Sequence, residues 1–429
     1  MTVVEKLSSA GVNVREKLVR YKGIWAAACL MVAIFLIFGL ETRGLGEFSE
    51  NPLQNTPLRL EEGELRFQGF RPTFDRVEQG KHITRFKNGV TAVYTIDAAL
   101  QTTMENFFKK YRVPYGVFVA MDPNTGKVLA LVEYSAQNPK AEGLALRLSY
   151  PAASIFKLVT AAAAIEEKKA DPATSISYYR SGIHQLSPKH WTDNPKRDKL
   201  KVTLAEALAR SNNAAFAKVA LRWLDVPKLI DYAGRFQFNH PIPFELPVQV
   251  SQMEIENSER GLARTGAGFG DVGLSPLHAA LIGSAIANNG AMMTPCLVDH
   301  LLSPTGEKMY ECTPRVFATA ISPETAESLR EMMAMTVISG TSRKAFRLKR
   351  REQSLRGITI GGKTGSLTGE DPPGKYSWFV GMAPMEAPEI AIAALVINRP
   401  LWKIKASEVA KNGFAAYFKP DLPRKVASQ

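Results

Sequence analysis

Ser154 and Lys157 form the pair of residues whose types and spacing best suit covalent catalysis. They lie in the segment YPAASIFK, where the proline suits the first turn of a helix and residues three apart share a helix face. A lysine amine beside the hydroxyl can remove its proton if burial and a second cation lower the lysine pKa. No other serine of the chain has a lysine three positions later. The pair is compatible with a nucleophilic serine and a lysine base, although such a pair on a helix is usually an accident of composition.

Ser211 and Asn213 form a second candidate motif, Ser-x-Asn, which follows the segment VTLAEALAR. The hydroxyl can relay a proton, and the amide can hold a peptide group. Residues 49–51 (Ser-Glu-Asn) fit the same pattern, and a helix cap or loop is the simpler interpretation of both. The motif has weight only in combination with the others.

A third motif, Lys363-Thr364-Gly365-Ser366, lies on the predicted strand GITIGGKTGSL. A cation and two hydroxyls beside a glycine allow a substrate backbone to lie along the strand while its carboxylate is bound.

Two glycine patterns offer competing interpretations. Residues 357–364 fit the phosphate-loop spacing G-x-x-x-x-G-K-[ST], but β-branched residues occupy the loop and no helix can follow. Residues 268–273 fit G-x-G-x-x-G within RGLARTGAGFGDVGLSP, but no strand precedes them. We expect no nucleotide at either position. We interpret the second glycine pattern either as a loop beside the cleft or as glycines that only interrupt regular structure.

The elements that must position these motifs are strands at both ends of a helical region. YGVFVAMDPNTGKVLALVEY predicts two strands, and RGITIGGKTGSL, YSWFVGMAP and IAIAALVIN predict three more. Residues 95–111 predict an amphipathic helix, and residues 151–345 are mainly helical. The expected fold is α+β, with a five-stranded antiparallel sheet flanked by helices, an all-helical lobe, and the motifs between sheet and lobe.

One transmembrane helix is expected before this fold. Residues 23–40 are uncharged and would form about 27 Å of helix, close to the thickness of the bilayer core. Five cations against two carboxylates in residues 1–22 predict a cytoplasmic N-terminus. A cleaved signal peptide is the alternative, although the apolar run is long for one. We predict a cytoplasmic tail (1–22), a membrane helix (23–40), a juxtamembrane stalk (41–94) and one extracytoplasmic domain (95–429).

Composition excludes several classes of protein. The 45% hydrophobic content excludes a disordered chain, and three cysteines are too few for a disulfide scaffold. Without a recognisable set of zinc ligands, we expect neither metal nor cofactor. Cys296 and Cys312 flank a predicted hairpin and are either disulfide-bonded or two buried thiols. The net charge of +13 favours anionic partners, and the extracytoplasmic placement argues against nucleic acid.

The three motifs follow one another at intervals of 57 and 152 residues, and together they resemble the penicillin-binding proteins, which share their fold with serine β-lactamases. The resemblance covers about residues 95–420 and includes TIDAALQ, AMDPNTGKVLALV, GFGDVGLSPLHAALIGSAIANNGAMMTP and SWFVGMAP. It implies that residues 95–429 form a penicillin-binding transpeptidase domain.

The resemblance also implies roles for the motif residues. Ser154 is the nucleophile, Lys157 the base and Ser211 the proton relay. Asn213 holds the peptide, and Lys363 polarises Ser211. Thr364 and Ser366, on either side of Gly365, bind the terminal carboxylate of the donor, and the N–H groups of Ser154 and Ser366 form the oxyanion hole.

The implied activity is that of a D,D-transpeptidase that acts on the D-Ala-D-Ala end of peptidoglycan stem peptides and is acylated by β-lactams. A D,D-carboxypeptidase, a β-lactamase-type hydrolase and a β-lactam sensor without turnover remain alternatives. Cell-wall synthesis proteins are expected as further partners. A basic cluster before the third motif is either a solvated face or a rim for anionic wall polymer or lipid: Arg343, Lys344, Arg347, Lys349, Arg350, Arg351 and Arg356.

Overall fold

The computed structural model describes residues 53, 56–61, 63–74, 76–180, 186–347, 353–399 and 403–419. The predicted cytoplasmic tail and membrane helix, residues 1–22 and 23–40, lie outside these ranges. Within them, no helix combines the length and apolarity needed to cross a bilayer. The chain divides into two units, Met1–Gln54 and Asn55–Gln429, and the second contains the fold.

The strands of the described residues are β1 Leu58–Glu61, β2 Glu64–Phe67, β3 Val77–Glu78, β4 Lys81–Arg85, β5 Thr91–Asp97, β6 Tyr115–Met121, β7 Val128–Tyr134, β8 Ser175–Tyr178, β9 Leu200–Thr203, β10 Met253–Glu254, β11 Asp271–Val272, β12 Ala291–Met293, β13 Val298–Leu302, β14 Lys308–Glu311, β15 Val316–Thr319, β16 Gly361–Glu370, β17 Pro373–Ala383 and β18 Ile390–Asn398.

The α-helices of the described residues are α1 Ala98–Tyr111, α2 Lys157–Glu166, α3 Pro188–Trp191, α4 Leu204–Ala209, α5 Asn213–Trp223, α6 Val226–Arg235, α7 Glu259–Gly266, α8 Pro276–Ala287, α9 Pro323–Ile338, α10 Arg343–Phe346 and α11 Ala406–Tyr417. Two short 3₁₀ helices cover Ala153–Phe156 and Gln353–Leu355.

The predicted five-stranded antiparallel sheet is confirmed, with the strand order β16-β17-β18-β6-β7. Phe118 and Ala394 are register partners whose side chains join the core formed with α1 and α11. On the opposite face, α8 approaches so closely that a Cβ on Gly283 would lie 2.8 Å from Val380 Cγ1. Helices on both faces explain why every residue of β18 is buried.

A second five-stranded sheet, β14-β13-β5-β4-β3, includes strands from residues 77–94 of the predicted juxtamembrane stalk (41–94). Strand β5 crosses the predicted boundary between residues 94 and 95, because it pairs with β13 in a register that includes Val298 opposite Tyr94. The helix predicted over residues 95–111 therefore begins only at Ala98. The Asp97 carboxylate caps it by accepting the backbone N–H groups of Ala99 and Leu100.

The prediction of an all-helical lobe beside the main sheet is wrong. Two short antiparallel strand pairs, β8-β9 and β10-β11, accompany the helices of the lobe. The predicted loop over residues 260–276 is also partly helical, since Ser258 Oγ accepts the Gly261 N–H at 3.0 Å and caps α7. Strand β16 begins at Gly361 and not at residue 357. Gly357 has φ +77°, which is incompatible with an extended strand.

Cys296 and Cys312 form a disulfide, which settles the alternative that the sequence left open. The two cysteines are 16 residues apart, and the β13-β14 hairpin lies between them. The bond therefore closes a loop around one end of the second sheet.

We expect replacement of both cysteines by serine to lower the free energy of unfolding by about 3 kcal/mol, because the bond restricts a loop of roughly 15 residues in the unfolded chain. Chemical denaturation followed by circular dichroism measures the change. Reductant should destabilise the wild-type protein by a similar amount and leave the double variant unchanged. Equal stability of oxidised protein and double variant would contradict this prediction.

Candidate active site

Ser154 lies in the 3₁₀ turn Ala153–Phe156, which leads directly into α2. Ala153 before it has φ +49°, a left-handed conformation that is strained for a residue with a Cβ. Two hydrogen bonds fix this turn to its surroundings: Ala152 N–H donates to Val272 O at 2.8 Å, and Trp378 Nε1 donates to Pro151 O at 2.9 Å. The turn therefore presents a half-buried serine from a rigid backbone.

The Lys157 amine lies among three oxygen atoms. Its Nζ is 2.8 Å from Ser154 Oγ and 2.8 Å from Asn213 Oδ1, and it donates to the carbonyl of Ala267. A neutral amine has two N–H groups and one lone pair. The amide and backbone carbonyl oxygens can only accept, so they take the two N–H groups and leave the lone pair for the serine hydroxyl. The geometry therefore suits removal of the Ser154 proton.

The surroundings of Lys157 favour this neutral form. The side chain is completely buried. Burial lowers the pKa of Lys157 well below its usual range, and the Lys363 cation lowers it further. Burial and a second cation are the two conditions that a lysine base needs, and here the second cation is Lys363 of the third motif.

Ser211 lies between α4 and α5 in a left-handed conformation, with φ +54°. Lys363 Nζ donates to Ser211 Oγ at 2.9 Å and to Thr364 O at 2.7 Å. Burial lowers the pKa of Lys363 to about 7. The second and third motifs are therefore in direct contact, as the expected polarisation of Ser211 by Lys363 requires.

The remaining residues of the third motif lie along β16. Gly365 permits close packing against the turn Ala153–Phe156, because a Cβ there would lie 3.4 Å from Ala152 O and 3.3 Å from Ile155 Cγ1. Ser366 is exposed, and Thr364 Oγ1 lies 2.6 Å from Thr341 Oγ1. Both hydroxyls border the same opening as Ser154.

This opening is a cleft of about 680 Å³ between the sheet and the lobe. Five of the eight predicted site residues line it: Ser154, Ser211, Asn213, Thr364 and Ser366. Lys157, Lys363 and Gly365 are buried behind them. The structure thus brings all eight residues together, while their chemical roles remain predictions.

The cleft also contains residues that the sequence analysis did not select, among them Arg210, Thr341, Lys375 and Lys405. Thr341 reaches the cleft because its backbone N–H donates to Ala209 O at 3.0 Å, which joins residues over 130 positions apart in sequence. No local pattern marks such a residue.

The competing glycine interpretations do not fit the structure. Lys363 of the phosphate-loop pattern is buried on a strand and directed at Ser211, not presented by a loop before a helix. Gly268 of the dinucleotide pattern instead packs against Ala153. Among the described residues, no group of three metal-ligating side chains is placed to hold a metal ion.

Gly268 packs against the turn that carries Ser154, and we expect Gly268→Ala to slow the predicted acylation of Ser154. Its φ is +83°, and a Cβ would lie 2.5 Å from Ala153 O and 3.1 Å from Ser154 Cα. Displacement of a reacting group by about 1 Å can cost on the order of 100-fold in rate. Gly306→Ala is the matched control, because Gly306 has φ +90° and open space around it. Equal penicillin acylation rates in both variants would refute this role.

The sequence comparisons place this cleft in a known family. The family model "Penicillin binding protein transpeptidase domain" matches residues 116–419. Peptidoglycan D,D-transpeptidase PbpA of Mycobacterium tuberculosis is 30% identical over 317 residues, which cover 66% of this chain and 62% of PbpA. Stage V sporulation protein D of Bacillus subtilis is 25% identical over 419 residues, which cover 92% of this chain and 62% of that protein. The chain thus spans less than two thirds of either relative.

Solved structures agree with this result. The D,D-transpeptidase domain of a peptidoglycan glycosyltransferase from Eggerthella lenta has a TM-score of 0.66 and 26% identity, covering 84% of this chain and 94% of that domain. The imipenem acyl-enzyme complex of penicillin-binding protein A from M. tuberculosis has a TM-score of 0.64 and 26% identity, with coverage of 76% and 79%. This chain belongs to the penicillin-binding protein transpeptidase domain family.

Proposed function

We propose that the chain is a peptidoglycan D,D-transpeptidase that acts through an acyl-enzyme on Ser154. The observation that carries the proposal is the buried Lys157 amine, whose Nζ lies 2.8 Å from Ser154 Oγ while two carbonyl oxygens are placed to accept its N–H groups. Relatives named D,D-transpeptidase support it, as do the β-lactam acyl-enzyme structures of penicillin-binding protein A.

In the first half-reaction, Lys157 removes the Ser154 proton while Oγ bonds to the carbonyl carbon of the D-Ala-D-Ala peptide bond. The N–H groups of Ser154 and Ser366 stabilise the oxyanion. The C–N bond then breaks, Ser211 relays a proton to the leaving nitrogen, and D-Ala departs. Lys363 polarises Ser211 and attracts the terminal carboxylate, which Thr364 and Ser366 bind.

In the second half-reaction, an amine of another stem peptide attacks the Ser154 ester. The nitrogen forms an amide, the ester C–O bond breaks, and a proton returns to Ser154 Oγ. The products are a cross-link and free enzyme. A β-lactam instead acylates Ser154 when its ring opens. The former amide nitrogen stays attached to the acyl group, so nothing departs.

The proposed location is the cytoplasmic membrane, with residues 23–40 as a single-pass anchor and the catalytic domain on the periplasmic side. The uncharged run and the positive charge of residues 1–22 support this topology. We place the peptidoglycan-synthesis proteins among its partners. Reporter fusions after residues 22 and 60 test the topology, and equal cytoplasmic reporter activity at both positions would contradict it.

The activity is tested with the full chain in mild detergent, a donor peptide ending in D-Ala-D-Ala and an acceptor amine. We expect release of D-Ala together with cross-linked product. Release of D-Ala without a cross-link identifies a carboxypeptidase, and rapid turnover of penicillin identifies a β-lactamase. Stable penicillin labelling without D-Ala release identifies a sensor.

A further inference from the structure

A second cavity, of about 670 Å³, lies beside the active-site cleft and is strongly basic. We call it the cationic trough and define it by its five cations and one carboxylate: Lys344, Arg347, Lys403, Lys405, Lys411 and Glu408. The proposed reaction has so far assigned none of these residues a role. Two of the cations belong to the basic cluster singled out in the sequence.

Two of the five cations of the trough are hydrogen-bonded to backbone carbonyls. Lys403 Nζ donates to Arg112 O at 3.1 Å, and Lys411 Nζ donates to Arg347 O at 3.4 Å. The Glu408 carboxylate accepts the backbone N–H of Lys405 at 3.0 Å, which caps α11. The lining of the trough contains five cationic side chains and one carboxylate, so its charge is positive in sum.

The trough lies next to the active-site cleft, because Thr341, Lys405 and Ser407 line both cavities. Thr341 is also hydrogen-bonded to Thr364, whose proposed role is to bind the terminal carboxylate of the donor. The trough therefore adjoins the end of the cleft where the terminal D-Ala of the donor is proposed to bind. An acceptor amine must enter that end, since it replaces the departing nitrogen on the same carbonyl carbon.

We propose that the cationic trough is the acceptor subsite and selects stem peptides with free carboxylates. This inference rests on the proposed transpeptidase function. A carboxylate on the acceptor gains from the excess positive charge, whereas a carboxamide does not. The trough thus raises the local concentration of the acceptor before the Ser154 ester is attacked.

The test compares two acceptor peptides that differ only in having free or amidated carboxylates, using the full chain and one donor. For the wild-type protein we expect a KM on the order of tenfold lower for the free-carboxylate acceptor, with a preference that declines as salt increases. The double variant Lys344→Glu, Lys403→Glu should lose this preference. Lys140→Glu, Lys199→Glu changes the net charge equally at two exposed lysines outside the trough and should keep it.

Penicillin acylation, which needs no acceptor, is measured for every variant to establish an intact site. If the wild-type chain forms no acyl-enzyme, the proposed function fails. If it acylates but has equal KM values for the two acceptors, or if both double variants lose the preference alike, the trough inference alone fails. Weaker binding of the trough variant to vesicles of anionic phospholipid, with an unchanged acceptor preference, would assign the trough to the membrane and overturn the inference.

Discussion

Lys157→Met should lower the rate of acylation by penicillin at neutral pH by about 10²- to 10⁴-fold, the usual contribution of a general base. Methionine approximates the length of the lysine stem but has no lone pair that can take the Ser154 proton. The measurement is the second-order rate constant for labelling by a fluorescent penicillin.

Two comparisons separate the loss of the base from damage to the fold. Lys157→Arg should be equally inactive, because a guanidinium stays protonated. Lys169→Met, at an exposed lysine, should acylate like the wild-type protein. Cooperative thermal unfolding of each variant shows that it is folded. A folded Lys157→Met variant that acylates at the wild-type rate would eliminate Lys157 as the base.

The acylation rate should depend on pH in a bell shape, because the two buried lysines are needed in opposite protonation states. Lys157 must be neutral, so the rate rises as pH increases through its lowered pKa. Lys363 must be charged to polarise Ser211 and attract a carboxylate. The rate should therefore fall above a pKa of about 7, by about tenfold for each pH unit once Lys363 is mostly neutral.

Lys363→Arg tests the assignment of the alkaline limb. Arginine keeps its charge throughout the accessible pH range, so a folded variant should lack the fall above about pH 7. The rising limb should remain, because a cation still acts on Lys157. An alkaline limb that persists unchanged in the variant would show that another group causes it.

The contacts that could be predicted from the sequence are those that local geometry imposes. Ser154 and Lys157 meet because residues three apart share one face of a helical turn. The contact of Ser211 with Lys363 was predicted from the resemblance, since no local rule joins residues 152 positions apart. The carbonyl of Ala267, which accepts an N–H of Lys157, could not be predicted from the sequence, because every residue type has a backbone carbonyl.

The strands of the main sheet were predictable for a similar reason. A central strand with both faces covered is a continuous apolar run, as in IAIAALVIN. Strand β5 was missed because its partner β13 lies about 200 residues later in the chain. The helix α7 was missed because its glycines suggested a loop. Gly261 is needed where a Cβ would lie 2.1 Å from Glu256 O, a contact that only the folded chain reveals.

The most direct test of the central claim is to locate the penicillin adduct by tandem mass spectrometry after trypsin digestion. The tryptic peptide of residues 148–157 contains two serines, Ser149 and Ser154, which fragment ions distinguish. The mass of one opened penicillin should lie on Ser154 in the wild-type chain, and no adduct should form in Ser154→Ala. An adduct on Ser149 or Ser211, or one that persists in Ser154→Ala, would contradict the assignment of the nucleophile.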